Sequence, residues 1–484
     1  MRGEPPLPRE LWEQIPPPVQ AALLLVVEGY ERHIAGLEAE VRALRGEVRE
    51  LKARLGPTSQ NSSRPPSSDG PHAKRDPPRP PSGRNRGGQP GRPVHRRALL
   101  PLEQVDEVVV RKPPSCRRCG GALQGSDAAP WRHQVLEVPP PVPHVTEYQL
   151  HRLACARCGV TTCGTLPPGV PAHSYGPRLA SLVGLCSGAY RMSKRMVASL
   201  CTDVLGVPLA RGEVCQVEQT VAAALDPTVQ EARAYVQARG VDVDETPWRE
   251  QQRRARLWVV VTQGVSVFRI RTARGAKALW ELLGAEYGGA LTSDRARAYT
   301  GQPLPRRQVC WAPLRRDFRA MLDRGGAGAP IGEILLEQAE VLLGWWHRVR
   351  GGTWSRATFR GYARWLRGVF RAELARGAGC ARPKTAATCR EVLEVAAALW
   401  TFVREPGLEP TNNAAERGRR HAVQWRRPSY GTDSGAGSHL VENALTVVAS
   451  CRQQERNVLD YLTRCCQALY ADTAPPSLLP QTAS

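Results

Sequence analysis

The stretch that most constrains the fold is Gly240-Val241-Asp242-Val243-Asp244-Glu245-Thr246-Pro247-Trp248. Val241 and Val243 alternate with Asp242 and Asp244, the period of a strand with one apolar face and one carboxylate-bearing face. Two more strand-like runs follow, 256–261 and 265–270. Three consecutive strands predict a sheet, and a sheet must bury a face against something. Acids at a strand end beside apolar neighbours are costly to desolvate unless a cation joins them. Two readings stay open here: a solvated strand end, or ligands for a divalent metal.

Downstream, Ala276 to Leu283 reads as a short helix, and 289–294 as a strand ending in Asp294, with Tyr299 close behind. Val309-Cys310-Trp311 is a further apolar run, leading into Leu314-Arg315-Arg316-Asp317-Phe318. Strands, a helix, then a strand with an acid at its end predict an α/β sheet of ribonuclease-H type. Residues 331–404 read as a helical insertion in that sheet domain, with Trp345, Trp346, Trp354, Trp365 and Trp400 as aromatic bulk. In Glu405 to Arg417, Asn412 or Asn413 is expected to cap a helix with Glu416 in its first turn. Asn413-x-x-Glu416 fits a capping box, in which Glu416 only satisfies a backbone N–H. It fits equally a third carboxylate projected toward the two strand-end aspartates. Arg417, Arg419, Arg420, Arg426 and Arg427 around it would suit phosphates near a carboxylate-bound metal.

The N-terminal part is built differently. Leu23, Val27, Tyr30, Ile34, Leu37, Val41, Leu44, Val48, Leu51 and Leu55 alternate spacings of four and three, predicting a coiled coil and self-association. Gly56-Pro57 ends that helix, and residues 56–98 are too poor in apolar groups to bury a core. Cys116-x2-Cys119-Gly120 and Cys155-x2-Cys158-Gly159 each suit a zinc knuckle, and together a closed four-cysteine structural site. Runs 134–138 and 145–150 read as strands bridging the long spacing between them. Residues 175–235 read as helical, with a possible helix-turn-helix around Gly206-Val207-Pro208 and with Arg191, Lys194 and Arg195 as cations that could face DNA.

Charge sharpens the functional class. A net charge of +22 points to a polyanionic partner, most simply nucleic acid. The 14 cysteines fall into two paired motifs and isolated apolar contexts, which fits a reducing cytoplasm. No apolar run suits a membrane span, and Ala21 to Val27 does not read as a signal peptide.

Asp-Glu-Thr-x-Trp at 244–248, Ser-Asp at 293–294, Cys-Trp-x-x-Leu-Arg-Arg-Asp-Phe at 310–318 and Asn-Asn-x-x-Glu-Arg at 412–417 resemble the insertion-sequence-66 family of transposases. The zipper, the runs at 61–69 and 87–91, the Cys-x2-Cys module and the tail 454–462 agree, in collinear order over nearly the whole chain. The resemblance implies a DDE triad on a ribonuclease-H-like fold: Asp244, Asp294 and Glu416. It implies two Mg2+ (or Mn2+) ions on that triad, alongside structural Zn2+ on Cys116, Cys119, Cys155 and Cys158. It implies cutting of the element's terminal inverted repeats and joining of 3′-hydroxyl ends to target DNA. Arg315, Arg316, Arg417, Arg420, Arg426 and Arg427 are the expected DNA contacts. Small accessory proteins of the same element are possible partners, and the bacterial cytoplasm, at the nucleoid, the expected location. Where the family usually carries His, this chain has Pro313, which keeps open the alternative of a weakened or repurposed DNA-binding protein; the triad positions are intact, so the activity remains the expectation.

The expected organisation is a multidomain α/β protein. Its parts are a coiled coil (1–55), a basic linker (56–98), a zinc-ribbon-like module (99–170) and a helical DNA-binding region (171–235). The catalytic mixed sheet (236–330) follows, interrupted by the insertion (331–404) and completed by 405–470 before a disordered tail (471–484).

Overall fold

A computed structural model of the chain describes residues 15–55, 98–272 and 275–481. The expected linker at 56–98 therefore lies almost wholly outside the described residues. The first element is α1 (Pro17–Leu55), a single helix of 39 residues entered through a proline run. Proline is tolerated there because the first-turn N–H groups have no partner inside the helix. Tyr30, Ile34, Leu37 and Leu44 of the heptad stripe are exposed, so the apolar side of α1 is not buried in its own chain at these positions.

The cysteine module is sparsely folded. Strands β1 (Arg152–Ala154) and β2 (Thr161–Cys163) form an antiparallel hairpin around the second knuckle, with Leu153 opposite Thr162. The runs expected as strands at 134–138 and 145–150 join no sheet among the described residues. Val135, Val138 and Val145 stand exposed, and Pro139, Pro140, Pro141 and Pro143 between the runs supply no N–H for a ladder.

Helices α2 (Pro177–Gly188), α3 (Lys194–Asp203) and α4 (Arg211–Gln237) come next. The expected helix, break and helix around Gly206-Val207-Pro208 are α3 and α4. The 27-residue α4 turns Val214, Val217, Val221 and Leu225 into the core and leaves Arg211, Gln216 and Gln219 exposed on its other side. Lys194 is turned back onto Glu218, 2.7 Å away.

The centre is a five-stranded mixed sheet: β3 (Val241–Glu250), β4 (Arg253–Val261), β5 (Ser266–Arg271), β6 (Leu291–Ser293) and β7 (Arg307–Val309). Their spatial order is β5-β4-β3-β6-β7. The first three are antiparallel neighbours. The β3–β4 turn is two residues long, and both Gln251 and Gln252 adopt left-handed φ values of 49° and 61°. That conformation matches the twist of the paired strands. After β5 the chain crosses back through α5 (Ala276–Leu283), so that β6 joins the other edge of β3 in parallel, with β7 parallel beyond it.

A helical layer follows: α6 (Trp311–Asp323), α7 (Ala329–Arg350), α8 (Arg356–Ala378), α9 (Pro383–Glu394) and α10 (Thr401–Arg404). It has its own core, including Trp311, Phe318, Trp346, Phe359, Phe370 and Phe402. The layer opens at α6, ahead of residue 331, because Leu314, Phe318 and Met321 pack into that same core. Three more helices follow, α11 (Asn413–Ser429), α12 (Gly435–Gln453) and α13 (Val458–Ala471). The tail expected to be disordered is instead held to α4 over its described residues: Leu478 is buried in the core, and Ser477 Oγ and the Leu478 N–H donate to Glu231 at 2.6 and 2.9 Å.

Strand alternation decides which helices cover which face. Val241, Val243, Trp258, Val260 and Val267 share a core with α2, α4 and α13. Trp248, Leu257, Val259, Val261 and Phe268 face the other way, against Ala415 and Ala422 of α11 and Val441, Leu445 and Ala449 of α12. The even-numbered side of β3, which carries Asp242 and Asp244, is therefore the side that meets α11. No helix among the described residues is long and apolar enough to cross a membrane.

Candidate active site and cysteine knuckles

Asp244 lies on the face of β3 opposite Val243, with 13 % of its side chain exposed. Its Oδ1 accepts the Glu245 N–H at 2.8 Å, and its Oδ2 sits 3.1 Å from Arg419 Nε. Burial pushes its carboxyl up from 3.8 to about 6, against Arg419 and the Glu245 N–H, with Asp294 and Glu416 adding like charge. Those two carboxylates thus act directly on Asp244. Asp294 arrives there by register: Asp242 pairs with Thr292 across the parallel β3–β6 contact, so the residue after β6 emerges beside Asp244. There the chain turns, with Asp294 Oδ1 accepting from Ala296 N at 2.8 Å and Arg307 holding the Asp294 carbonyl at 2.9 Å.

Glu416 stands in the first turn of α11, whose N-cap is Asn412. The capping-box reading fails, since no side chain caps this helix. Asn412 Nδ2 donates instead to the carbonyl of Val243 at 2.7 Å, while its backbone N–H points at Cys310 Sγ, 3.2 Å away. Asn412 is buried and straps the start of α11 to β3. The position of Glu416 follows from that strap.

The two neighbours of Asp244 separate from it. Asp242 is likewise pushed up to about 6, first by burial, but the carboxylate acting on it is Glu409, with the Thr292 hydroxyl and Arg417 opposing. Glu245 lies on the reverse face, where Arg256 is 3.7 Å from it.

The expected DNA-contacting arginines divide into two sets. Arg417, Arg420 and Arg427 are exposed along α11. Arg426 is turned inward, its guanidinium donating to Thr246 Oγ1 at 3.1 Å and to the Pro247 carbonyl. Arg315 reaches Glu340 at 3.3 Å, and Arg316 lies beside Asp317, whose carboxyl is raised mainly by burial and lowered by Arg295 and Arg316. Arg419, the cation on Asp244, was not singled out for that role by the sequence. Its spacing of three from Glu416 and seven from Arg426 was the available signal, since those intervals bring side chains to one side of a helix.

Three carboxylates form an all-oxygen donor set that suits a hard divalent cation. Among the described residues, however, no three His, Cys, Asp or Glu side chains are gathered closely enough to hold an ion. The carboxylates come within electrostatic reach of one another, and Arg419 is the cation that Asp244 touches.

The knuckles are a matched pair. Gly120 and Gly159 adopt φ values of 75° and 73°, and their N–H groups bond to the carbonyls of Cys116 and Cys155 at 2.9 and 2.8 Å. Backbone N–H groups of the turn, at Arg118 and Cys119 and at Arg157 and Cys158, hold the Cys116 and Cys155 thiols below their ordinary value. This turn favours the thiolate that a zinc ion needs. Each knuckle gathers its own two cysteines, and the four do not form one cluster among the described residues.

Comparison with known families gives three matches. A family model described as Transposase IS66 family matches residues 175–439, more than half of the chain and the whole of the carboxylate site. The zinc-finger binding domain of transposase IS66 matches residues 113–159, which contain both knuckles. A family of unknown function (DUF6444) matches residues 8–98. No curated protein and no solved structure was found to match the chain.

Proposed function

This chain belongs to the IS66 family of transposases, and on that footing we propose that it cuts and joins DNA through a DDE triad of Asp244, Asp294 and Glu416. One observation carries the reading: the β3–β6 register and the bond from Asn412 to the Val243 carbonyl turn Asp294 and the helix of Glu416 toward the buried Asp244. Carboxylates within electrostatic reach of one another favour a divalent cation among them. Three antiparallel strands followed by two parallel ones support a ribonuclease-H-like sheet beneath them. Magnesium or manganese ions bound to this triad would activate an attacking water or 3′-hydroxyl and stabilise the leaving oxygen.

The chain's own residues do the remaining work. Arg419 screens Asp244 from its two acidic neighbours. The Asn412 strap holds the helix of Glu416 to the strand of Asp244. Arg417, Arg420 and Arg427 offer exposed guanidinium groups to phosphates along the same helix. Cys116, Cys119, Cys155 and Cys158 would hold a structural zinc once the two knuckles close on it, and the apolar stripe of α1 would pair two chains, so that two DNA ends are held together.

Pro313 bears on the alternative. It is the third residue of α6, where a backbone N–H has no intrahelical acceptor, so the helix forms without loss. The test uses a DNA fragment carrying the element's terminal inverted repeats, with Mg2+ or Mn2+. Wild type is expected to cut it and join the 3′ ends to target DNA, while Asp244→Asn only binds it. Wild type and variant equally inert, both still binding the ends, would establish a DNA-binding derivative of such a transposase.

A further inference from the structure

We propose that the outer seam between α7 and α8 is a stacking site for unpaired nucleobases of a DNA strand. The seam is a groove of about 680 Å³ lined by Trp345, Ala357, Thr358, Gly361, Tyr362 and Trp365. That volume lies in the range of built ligand sites. On α8 the residues Thr358, Tyr362, Trp365 and Val369 recur at spacings of four, three and four, so they share one stripe. Phe359, Leu366 and Phe370 of the same helix are buried in the core, which leaves the stripe facing outward. Tyr362 and Trp365 are 51 % and 65 % exposed.

The rings are already ordered. Trp354 stacks on Tyr362 with centroids 5.2 Å apart and planes 24° apart, and Trp345 lies 5.4 Å from Tyr362. A further ring can join such an arrangement at little conformational cost, because these side chains brace one another. Ala357 is small, and Gly361 opens onto empty space. The walls are thus aromatic and the floor nearly flat, which fits a planar ligand better than a branched aliphatic side chain.

Charge selects among planar ligands. No carboxylate lines the groove, and the Arg348 guanidinium stands 5.0 Å over the Trp354 ring. Arg364, Arg367 and Arg371 each follow a stripe residue by two and so are exposed on the other flank of α8; the cation at the groove is Arg348, in a chain of net charge +22. Aromatic rings beside cations bind single strands with little sequence preference, since every base offers a π face. The groove also has a link to the carboxylate site. Trp346, next to Trp345, donates its indole N–H to Glu409 at 2.8 Å, and Glu409 stands shortly ahead of α11.

The experiment uses the full chain, single-stranded oligodeoxythymidine and a duplex of equal length. Trp365→Ala, alone and with Tyr362→Ala, is expected to weaken single-strand binding about tenfold or more. Trp365→Phe should restore it, and duplex affinity and its salt dependence should not move. An oligonucleotide bearing 5-iodouracil should photocrosslink to Tyr362 or Trp365. Crosslinks confined to other peptides, unchanged single-strand affinity, or an equal loss for the duplex would each overturn the proposal. So would a Trp365→Ala variant whose self-association falls while its DNA binding holds, which would mark the groove as a protein interface. Asp244→Asn should bind single strands like wild type, so failure of the catalytic reading leaves this one standing.

Discussion

Asp244→Asn should make the metal-free protein more stable at neutral pH while abolishing cleavage. The ionised carboxyl is unwelcome where it stands, since its value is raised from 3.8 to about 6. A carboxyl raised in the folded state binds its proton more tightly there than in the unfolded chain. Its penalty is therefore small below about pH 4, grows between the two values and is complete above about 6. At roughly 1.4 kcal/mol per tenfold in proton affinity, the full penalty is about 3 kcal/mol. The side chain is only 13 % exposed, so solvent screening removes little of it. Asparagine imitates the neutral acid and escapes the penalty. Thermal unfolding with chelator at about pH 7.5 should show the variant melting several degrees higher, and at about pH 4.5 the gain should shrink to about 1 kcal/mol. Added Mn2+ should then raise the wild-type midpoint and leave the variant's unmoved. A variant destabilised at pH 7.5, or a gain independent of pH, would refute the reasoning that burial and like charge dominate at this residue.

Three more outcomes follow from the same geometry. Mn2+ affinity should rise with pH through about 6 as the metal-free Asp244 ionises, and Arg419→Gln should move that midpoint upward while Arg419→Lys restores most of it; metal titrations at a series of pH values read both. Cys116→Ser or Cys155→Ser should abolish zinc retention, measured by elemental analysis, yet leave the main thermal transition in place, because the knuckles lie outside the three buried cores. Leu37→Glu with Leu44→Glu should abolish self-association in sedimentation, again without moving that transition, since both side chains are exposed on α1.

Much of this protein is legible without coordinates, because local periodicity is a property of the chain alone. The alternation at 241–244, the heptad of α1 and the two glycine-bearing Cys-x2-Cys turns each predict their own backbone. Even so, the proline run at 139–143 kept two apolar stretches from pairing, a constraint visible in the sequence but outweighed there by the apolar pattern. The candidate site is legible as residue types in order: two strand-end acids and one acid in a helical first turn. Only the tertiary structure decided how they meet. The crossover that brings β6 beside β3 carries Asp294 to Asp244 rather than to Asp242. The bond from Asn412 to Val243 replaced the cap that the local motif allowed. The inward turn of Arg419 and Arg426, against the exposed Arg417, Arg420 and Arg427, depends on which side of α11 the sheet covers. Periodicity states that a helix or strand has faces. Which face meets which partner is settled by contacts between residues 50 or more positions apart, and no local pattern encodes them.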